Sequence, residues 1–205
     1  ENVTGSVLAD SLTGNTGANF LDGGAGNDSL YGGDGEDVLR GGLGDDLLDG
    51  QGSINGQLFD YADYRDAGGA VQVDLLAGLA TGAAGNDTLV NMEGVFGSAF
   101  SDSITGGNTD DVFFGEGGND TIHGGNGFDI VHYGSASAGV SVNLSSGVVS
   151  GAAGADVLSS IEGVIGSNFA DTLVGNADGN FFRGLTGNDT IDGGGGNDRA
   201  AYDRA

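Results

Sequence analysis

One large apolar residue recurs at every ninth position near the start of the chain, with glycines and polar residues between the copies. The recurring residues are Leu12, Leu21, Leu30, Leu39 and Leu48. A lone apolar residue of this kind is typical of a short β-strand with one inward side chain, because successive strand residues point to opposite faces. The Gly, Asp and Asn residues between the copies favour tight turns. The pattern therefore predicts strands of about three to five residues joined by turns, and no helix, because a 3.6-residue period is absent.

The strands belong to a nine-residue motif, G-G-x-G-x-D-x-U-x, in which U is a large apolar residue. Its clearest copies are GGAGNDSLY (23–31), GGDGEDVLR (32–40) and GGLGDDLLD (41–49). The copies fall into three sets, which begin at Gly5, Gly14, Gly23, Gly32 and Gly41, at Gly97, Gly106, Gly115 and Gly124, and at Gly166, Gly175, Gly184 and Gly193. The sixth-position residues of these copies are Asp10, Asn19, Asp28, Asp37, Asp46, Asp102, Asp111, Asp120, Asp129, Asp171, Asn180, Asp189 and Asp198.

A longer repeat of 69 residues overlies the nonapeptides. Residues 69–107 match residues 138–176 at this offset. The first ten residues match 162–171, and residues 198–205 repeat the start of the long unit. We therefore expect the chain to be an excerpt of a larger protein.

The nine-residue spacing continues through the segments between the sets. Asp60 and Asp87 are 27 residues apart, three times nine, and the corresponding step in the second unit, to Asp156, is the same. The apolar residues that keep this spacing are Val71, Ala80, Leu89, Val140, Val149 and Leu158. The spacing breaks at the 15-residue step from Asp87 to Asp102, and again around residues 51–55. We therefore predict one continuous solenoid over 1–205 rather than three linked domains. Its repeat blocks are 5–64, 97–133 and 166–202, with wider irregular rungs at 65–96 and 134–165.

The chain of 205 residues carries 30 acidic and only five basic residues, which gives a formal charge of −25. A chain with such a high net charge and low hydrophobicity is normally disordered unless cations neutralise its carboxylates. The scarcity of basic residues excludes nucleic acid and anionic membranes as expected partners. No apolar run approaches the roughly 20 residues of a membrane span, and no signal peptide opens the chain. Because there is no cysteine, metal or repeat packing must stabilise the fold.

Stacked turns would create cation sites between loops. Equivalent loops in stacked turns lie about 4.8 Å apart, the ordinary strand spacing. If two nonapeptides make one coil, each loop stacks on the loop two repeats later. A cation between them would receive backbone carbonyl oxygens and one carboxylate from each loop, which is the set of six or more oxygens that Ca²⁺ accepts and that suits Mg²⁺ less well. Zinc and copper are disfavoured because the chain has no cysteine and two histidines. The predicted cofactor is therefore Ca²⁺ at several sites.

The tandem nonapeptides resemble the RTX (repeats-in-toxin) calcium-binding repeats, and the resemblance covers nearly the whole chain. The 69-residue unit, with its V-x-V-[DN]-L, I-E-G-V and G-S-x-F-x-D elements, resembles the extended repeats of large secreted bacterial RTX proteins. The resemblance implies an all-β parallel β-roll, type I secretion and an extracellular location, with cell-surface association as a further expectation.

The resemblance also implies a set of calcium ligands. One loop gives the carbonyls of positions one and three, its partner gives those of positions two and four, and both give the sixth-position side chain. The loop residues implied are Gly23, Gly24, Ala25, Gly26, Gly32, Gly33, Asp34, Gly35, Gly41, Gly42, Leu43, Gly44, Gly115, Gly117, Gly118, Gly124, Gly125, Asn126, Gly127, Gly184, Gly187, Gly193, Gly194, Gly195 and Gly196.

By the same resemblance the sixth-position side chains bind calcium in pairs. The pairs are Asp10 with Asp28, Asp28 with Asp46, Asp102 with Asp120, Asp111 with Asp129, and Asp171 with Asp189, and the further expected ligands are Asp60, Asp87 and Asp156. In the pairs of Asn19 with Asp37 and of Asn180 with Asp198 a neutral amide replaces a carboxylate, so weaker or empty sites are expected. Aspartate is common in any glycine-rich turn, but its regular period here favours calcium binding.

The expected function is a non-catalytic calcium-binding module whose folding is driven by extracellular calcium and which supports secretion and stability of a larger secreted protein. The sequence contains no H-E-x-x-H, no G-x-S-x-G and no cysteine nucleophile, so no catalysis is expected. One alternative is a calcium-dependent carbohydrate- or surface-binding module of an adhesin. Another is an accessory domain of a secreted polysaccharide-active enzyme or protease. The expected partners are calcium ions, the rest of the parent protein and, in the first alternative, a glycan or cell-surface ligand.

Two kinds of residue recur with the 69-residue unit and have no place in the nonapeptide. Glu93 and Glu162 occur at the 15-residue step, where they either bind an additional ion or accept hydrogen bonds from backbone amides. Tyr64, Tyr133 and Tyr202 follow the last nonapeptide of each block, which favours a structural role where the rung changes shape.

Phenylalanines and histidines lie close to the eighth position. Phe113 and Phe182 occupy that position and are expected in the core. Phe114 and Phe181 flank it, and they either cover a phase break, form a dimer contact or stack on a sugar ring. The histidines, both at ninth positions and expected at the surface, are His123 and His132.

Overall fold

The computed structural model describes residues 1–52 and 59–202, and the phase break expected around 51–55 lies mostly outside them. Within these residues the chain forms 23 strands of three to six residues and no helix. The strands are β1 (Asn2–Thr4), β2 (Ser11–Thr13), β3 (Phe20–Ala25), β4 (Ser29–Gly33), β5 (Val38–Leu43), β6 (Leu47–Gln51), β7 (Tyr61–Asp63), β8 (Val71–Asp74), β9 (Leu79–Gly82), β10 (Asn86–Val90), β11 (Gly94–Phe96), β12 (Ser103–Thr105), β13 (Val112–Phe114), β14 (Thr121–His123), β15 (Ile130–His132), β16 (Val140–Asn143), β17 (Val148–Gly151), β18 (Val157–Ser159), β19 (Gly163–Ile165), β20 (Thr172–Val174), β21 (Phe181–Arg183), β22 (Thr190–Asp192) and β23 (Arg199–Ala201).

The strands alternate between two mostly parallel sheets. The ten-stranded sheet has the order β1-β3-β5-β7-β11-β13-β15-β19-β21-β23, and the thirteen-stranded sheet has the order β2-β4-β6-β10-β9-β8-β12-β14-β18-β17-β16-β20-β22. In the first block, strand β1 pairs with β3 so that Val3 lies beside Leu21, two nonapeptides later. One coil therefore contains two nonapeptides, and the predicted all-β parallel β-roll is confirmed.

Two columns of inward side chains, one from each sheet, fill the space between the sheets. The eighth-position residues with no more than 1% exposure are Leu21, Leu30, Leu39, Leu48, Ile104, Phe113, Ile122, Val131, Leu173 and Phe182. Each contributes about 1.5–3 kcal/mol by its burial. Phe113 and Phe182 thus lie in the core as predicted. Each sheet contributes a core layer only one side chain wide. The stability of the fold therefore depends strongly on the interactions that hold the stacked turns together.

The segments between the blocks form antiparallel meanders rather than nonapeptide coils. In the first, β8 pairs with β9 and β9 pairs with β10, both antiparallel. The spaced apolar residues Val71, Ala80 and Leu89 are buried as expected. The turn between β8 and β9 lacks the G-G-x-G sequence, and Ala77 N–H donates instead to Asp74 Oδ1 at 2.8 Å, so the chain reverses rather than advancing to the other sheet. The nine-residue spacing thus identified the buried positions of these segments, but it did not indicate the antiparallel direction of β9 and β17.

In both sheets the strand pairing continues from one repeat block to the next through each meander. Strand β10 pairs in parallel with β6, and β8 pairs in parallel with β12. On the other side of the roll β7 pairs with both β5 and β11. Each meander therefore places three strands in the thirteen-stranded sheet where a regular coil has one, and the middle strand is antiparallel, while the ten-stranded sheet keeps its register.

The outer face of the ten-stranded sheet carries a stack of aromatic rings. The ring centroids of Phe96 and Phe114 lie 4.3 Å apart, and those of Phe114 and His132 lie 4.7 Å apart. Phe114 therefore covers the sheet where the rung changes shape. His123 is exposed as predicted, but His132 is half-buried, because the ring of Phe114 on the neighbouring strand covers it. Burial, with the nearby charge of Arg183, lowers the pKa of His132.

Candidate metal centre

The sixth-position side chains form two ladders, one along each edge where the chain passes between the sheets. The edge ladder that precedes strands of the thirteen-stranded sheet contains Asp10, Asp28, Asp46, Asp87, Asp102, Asp120, Asp156, Asp171 and Asp189. The edge ladder that precedes strands of the ten-stranded sheet contains Asn19, Asp37, Asp60, Glu93, Asp111, Asp129, Glu162, Asn180 and Asp198. Each ladder receives one side chain per coil because a coil contains two nonapeptides.

Neighbouring rungs of a ladder are joined by a bond that the sequence did not reveal. The backbone N–H of Asp10 donates to Oδ1 of Asp28 at 2.8 Å, and the N–H of Asp28 donates to Oδ1 of Asp46 at 2.8 Å. The same bond joins Asp37 to Asp60 at 2.9 Å. One oxygen of each of these carboxylates is thus used by the rung before it, and the second oxygen is left to face the cleft between loops.

Glu93 and Glu162 take the place of aspartates in the ladder. Oε2 of Glu93 accepts the backbone N–H of Asp60 at 3.1 Å, and Oε2 of Glu162 accepts that of Asp129 at 2.9 Å. These are the bonds that aspartate makes elsewhere in the ladder. Of the two interpretations given by the sequence, the structure therefore supports the satisfaction of backbone amides.

Six ladder carboxylates are buried with one oxygen unpartnered. The oxygens without a hydrogen-bond partner are Oδ1 of Asp111 and Oδ2 of Asp28, Asp37, Asp46, Asp120 and Asp129. These side chains are at most 3% exposed. A buried carboxylate oxygen without a donor is costly, so it must be protonated or meet a cation.

The pKa values of several ladder aspartates also show that the burial of their charge is not fully compensated. Burial, only partly offset by hydrogen bonds, raises the pKa of Asp60, Asp111 and Asp120 to about 7. It also raises the pKa of Asp129 to about 6, with the charge of Glu162 contributing. The protein's own donors therefore do not compensate for burial of these charges at neutral pH.

Backbone carbonyl oxygens converge on the same clefts. A Cβ atom added at Gly23 would collide with Oδ2 of Asp28 and would lie 2.6 Å from the carbonyl oxygen of Gly41 on the next loop. A Cβ at Gly42 would collide with the carbonyl of Gly24. The first-position cleft is thus lined by a carboxylate oxygen of one loop and a carbonyl of the next, which glycine alone leaves open.

Fourth-position glycines shape the loop by their left-handed backbone. Gly26 and Gly44 have φ values of +120° and +141°, which a residue with a Cβ rarely adopts. Gly26 N–H donates to the carbonyl of Leu43 at 2.8 Å, which fixes the stacking of the two loops. The resulting donor set is made of hard oxygens and fits Ca²⁺.

No cluster of three or more His, Cys, Asp or Glu side chains suited to a metal is found in residues 1–52 and 59–202. A cation in the clefts would therefore take most of its ligands from backbone carbonyls. This is consistent with a site built from paired loops rather than from a pocket of side chains.

The remaining predicted side chains differ in burial or in partners. Asp10 and Asp189 are half-buried and Asp198 is exposed, because they lie near the ends of the roll. Asn19 donates through Nδ2 to Oδ1 of Asp37 at 2.8 Å, and Oδ1 of Asn180 accepts the N–H of Asn176 at 2.9 Å.

The tyrosines of the long unit are bonded to the ladder. The hydroxyl of Tyr64 donates to Oδ2 of Asp87 at 3.0 Å, and that of Tyr133 donates to Oδ2 of Asp156 at 3.1 Å. Both rings are buried, whereas Tyr202 is 82% exposed. The structural role predicted for Tyr64 and Tyr133 is therefore a hydrogen bond to the ladder aspartate at the last strand of each meander. The shared 23-residue spacing of both pairs was the sequence signal that could have revealed it.

Replacing Tyr64 by phenylalanine is expected to lower the free energy of unfolding by about 1–3 kcal/mol, because the buried oxygen of Asp87 loses its donor. Tyr202→Phe, at the equivalent repeat position but exposed, should leave stability unchanged. Chemical unfolding of both variants in calcium measures the difference. Equal stabilities would show that the Tyr64 hydroxyl contributes nothing.

Comparison with known families gives one match. The family model of the RTX calcium-binding nonapeptide repeat matches residues 4–39, 13–48, 96–131 and 165–200. These stretches cover more than half of the chain and coincide with the parallel, glycine-rich coils, whereas both meanders lie outside them. No curated protein matches the chain.

Proposed function

Because this chain belongs to the RTX calcium-binding nonapeptide repeat family, we propose that it is a calcium-binding module whose folding is coupled to calcium. The observation that carries the proposal is the set of six buried ladder carboxylates with an unpartnered oxygen, in a chain of charge −25. Calcium would supply the positive charge that the protein's own donors do not.

The loops that would hold the ions are those stacked two nonapeptides apart. Between loops 23–28 and 41–46, the first loop would give Oδ2 of Asp28 and the second would give the carbonyl of Gly41. Further carbonyls of the second and fourth positions, such as those of Gly24 and Gly26, face the next loop. The glycines leave room for the ion, and the ladder hydrogen bonds hold each carboxylate in place.

Coupling to folding follows from the balance between the core and the charges. In the nonapeptide coils most strands bury one large side chain, and most turns bring another carboxylate into a ladder. Without cations the ladders repel themselves, and with cations each stacked pair becomes a cross-link between coils. Extracellular calcium modules often bind in the range of about 10⁻⁴–10⁻³ M, so such a chain would fold after export.

The role proposed for the module is to support secretion and stability of a larger bacterial protein, outside the cell and at its surface. RTX repeats are characteristic of secreted bacterial proteins. The described residues contain no helix that could span a membrane. We assign the module no catalytic role, and we infer that its blocks act as one unit, since both sheets pair past the meanders.

Asp28→Asn is expected to raise the calcium concentration at the midpoint of folding by about tenfold or more, which corresponds to about 1.4 kcal/mol. The asparagine keeps the acceptor for the N–H of Asp10 but removes the charged oxygen that faces the cleft. Glu36→Gln removes the same charge from an exposed residue and serves as the control. Calcium titrations followed by circular dichroism and calorimetry compare them. Identical midpoints for Asp28→Asn and the parent chain would overturn the proposal.

The carbohydrate-binding alternative has one supporting observation. A groove of about 420 Å³ lies on the outer face of the ten-stranded sheet, lined in part by Phe128, Ile130, Phe181 and Arg199. Its apolar walls and guanidinium suit a ring-shaped ligand with a polar edge. Glycan binding that requires calcium and is lost in Phe181→Ala would favour this function.

A further inference from the structure

Three loops of the edge ladder that precedes the thirteen-stranded sheet have serine at the second motif position instead of glycine. They are GSVLAD (5–10), GSAFSD (97–102) and GSNFAD (166–171), called here the serine loops. Each is the first loop of one of the three repeat blocks. Their sixth residues, Asp10, Asp102 and Asp171, were expected to pair with the aspartate of the next loop around a calcium ion.

In the serine loops the carboxylate is already bonded by its own loop. Ser98 donates to Asp102 twice, from its N–H to Oδ2 at 2.6 Å and from Oγ to Oδ1 at 2.7 Å. Ser167 donates to Asp171 in the same way, at 2.7 Å for both bonds. Ser98 and Ser167 are fully buried, so these bonds are shielded from water, whereas Ser6 of the first serine loop is exposed.

A third donor reaches these carboxylates from the meander. Val71 N–H donates to Oδ1 of Asp102 and Val140 N–H donates to Oδ1 of Asp171, both at 2.8 Å. Hydrogen bonds from three donors to a buried carboxylate can stabilise its charge without a cation. In the first block Ser6 likewise donates to Oδ2 of Asp10, from its N–H at 2.6 Å and from Oγ at 2.8 Å.

The glycine loops of the same ladder differ in this respect. Oδ2 of Asp28, Asp46 and Asp120 is buried and has no partner. The second-position residue there is a glycine or Glu116, and no hydroxyl is available to donate to the carboxylate. The ladder therefore contains two kinds of carboxylate, distinguished by whether the protein itself satisfies the second oxygen.

The fourth motif position follows the same division. In the serine loop 97–102 the fourth residue is Phe100. In loop 115–120, which stacks on it, the fourth residue is Gly118, with φ of +129°. The N–H of Phe100 donates to Oγ of Ser98 at 3.1 Å, so the loop closes on its own hydroxyl. Ser167 and Phe169 make the same bond at 3.1 Å.

We propose that the serine loops are metal-free rungs, in which the serine N–H and hydroxyl take the place of a calcium ion. The clefts between each serine loop and the loop stacked on it hold no calcium, and the ions occupy later clefts such as those of Asp28, Asp46 and Asp120. This inference rests on the proposed calcium-binding function. If so, pairing the consensus aspartates predicts one calcium ion too many for each block. Each block would also begin with a rung that can form before calcium binds.

Equilibrium dialysis of the full chain at about 1 mM free calcium tests the inference by the number of ions bound per chain. Asp120→Asn is expected to lose at least one ion. Asp102→Asn and Ser98→Ala are expected to keep the number of the parent chain, while their thermal midpoints in calcium fall because buried hydrogen bonds are lost. Asp171→Asn against Asp129→Asn repeats the comparison should Asp120→Asn fail to fold, which circular dichroism shows.

Loss of an ion from folded Asp102→Asn or Ser98→Ala would overturn the inference while leaving the calcium function intact. An unchanged ion count in folded Asp120→Asn and Asp129→Asn would overturn the proposed ligands and the inference with them. An unchanged thermal midpoint in Ser98→Ala would also contradict a serine that replaces the ion.

Discussion

Removal of calcium with EDTA is expected to abolish most of the β-sheet circular dichroism of this chain at about pH 8, and about 1 mM calcium is expected to restore it. Six buried ladder carboxylates have an oxygen without a partner, and the formal charge is −25. The core that opposes this repulsion is one side chain wide, and each of its members contributes only about 1.5–3 kcal/mol. The parallel pairing of loops 18 residues apart is thus expected to fail when the ions leave.

Two controls separate calcium binding from simple charge screening. Magnesium at the same concentration should restore little structure, because it gives up its water reluctantly and demands a tight octahedron. Sodium chloride at about 0.15 M screens exposed charges beyond roughly 8 Å but does not enter the clefts as a multidentate ion. A full β spectrum in EDTA at this pH, or equal recovery in all three salts, would contradict calcium-coupled folding.

The nonapeptide coils could be predicted from the sequence because every determinant is local. One apolar residue per repeat, as at Leu30 and Leu39, sets the inward side chain, and the glycines set the turns. The offset of two repeats then follows from the two-sheet geometry. The positions of Asp28 and Asp46 in one ladder could be predicted from the nine-residue spacing alone.

The meanders could not be predicted because their pairing is decided far along the chain. Leu89 lies beside Leu48 although the two are 41 positions apart, and the sequence between them gives no local sign of which strand continues the sheet. The period placed Val71 and Ala80 in the core but says nothing of strand direction. Burial of His132 likewise depends on Phe114 of another strand.

The division of the ladder into two kinds of carboxylate could not be predicted from the motif either. The sixth position is aspartate in both kinds, so the motif treats Asp102 and Asp120 alike. What distinguishes them is a hydrogen bond from Ser98 and one from Val71, 31 residues away. A consensus counts ligands, whereas the occupied sites depend on which oxygens the fold has already satisfied.

Acidification is expected to stabilise the calcium-free chain, in contrast to the usual acid denaturation. Burial raises the pKa of Asp60, Asp111 and Asp120 to about 7 in the folded chain. In an unfolded chain an aspartate has a pKa of about 3.9. The folded state therefore binds these protons more tightly, so their contribution to stability is fully present below about pH 4 and is lost as the pH rises through about 7.

Carboxylates with the opposite shift do not interfere in this window. Asp63 is buried, but hydrogen bonds from Arg65 and the charge of Arg40 hold its pKa below the ordinary value. Its contribution is lost only when the pH falls below about 4. Among the carboxylates, the ladder therefore dominates between about pH 8 and pH 5.

Thermal or urea unfolding in EDTA at several pH values between about 8 and 5 measures the effect. Stability should rise as the pH falls, and the difference between EDTA and calcium should shrink, because protons and calcium compete for the same buried oxygens. Asp111→Asn and Asp120→Asn should each weaken the pH dependence, whereas the exposed Glu36→Gln, whose charge is the smallest of the effects that raise the pKa of Asp60, should change it far less. Stability in EDTA that is constant or falls on acidification would show that the ladder carboxylates keep ordinary pKa values in the folded chain, and that their burial does not oppose folding.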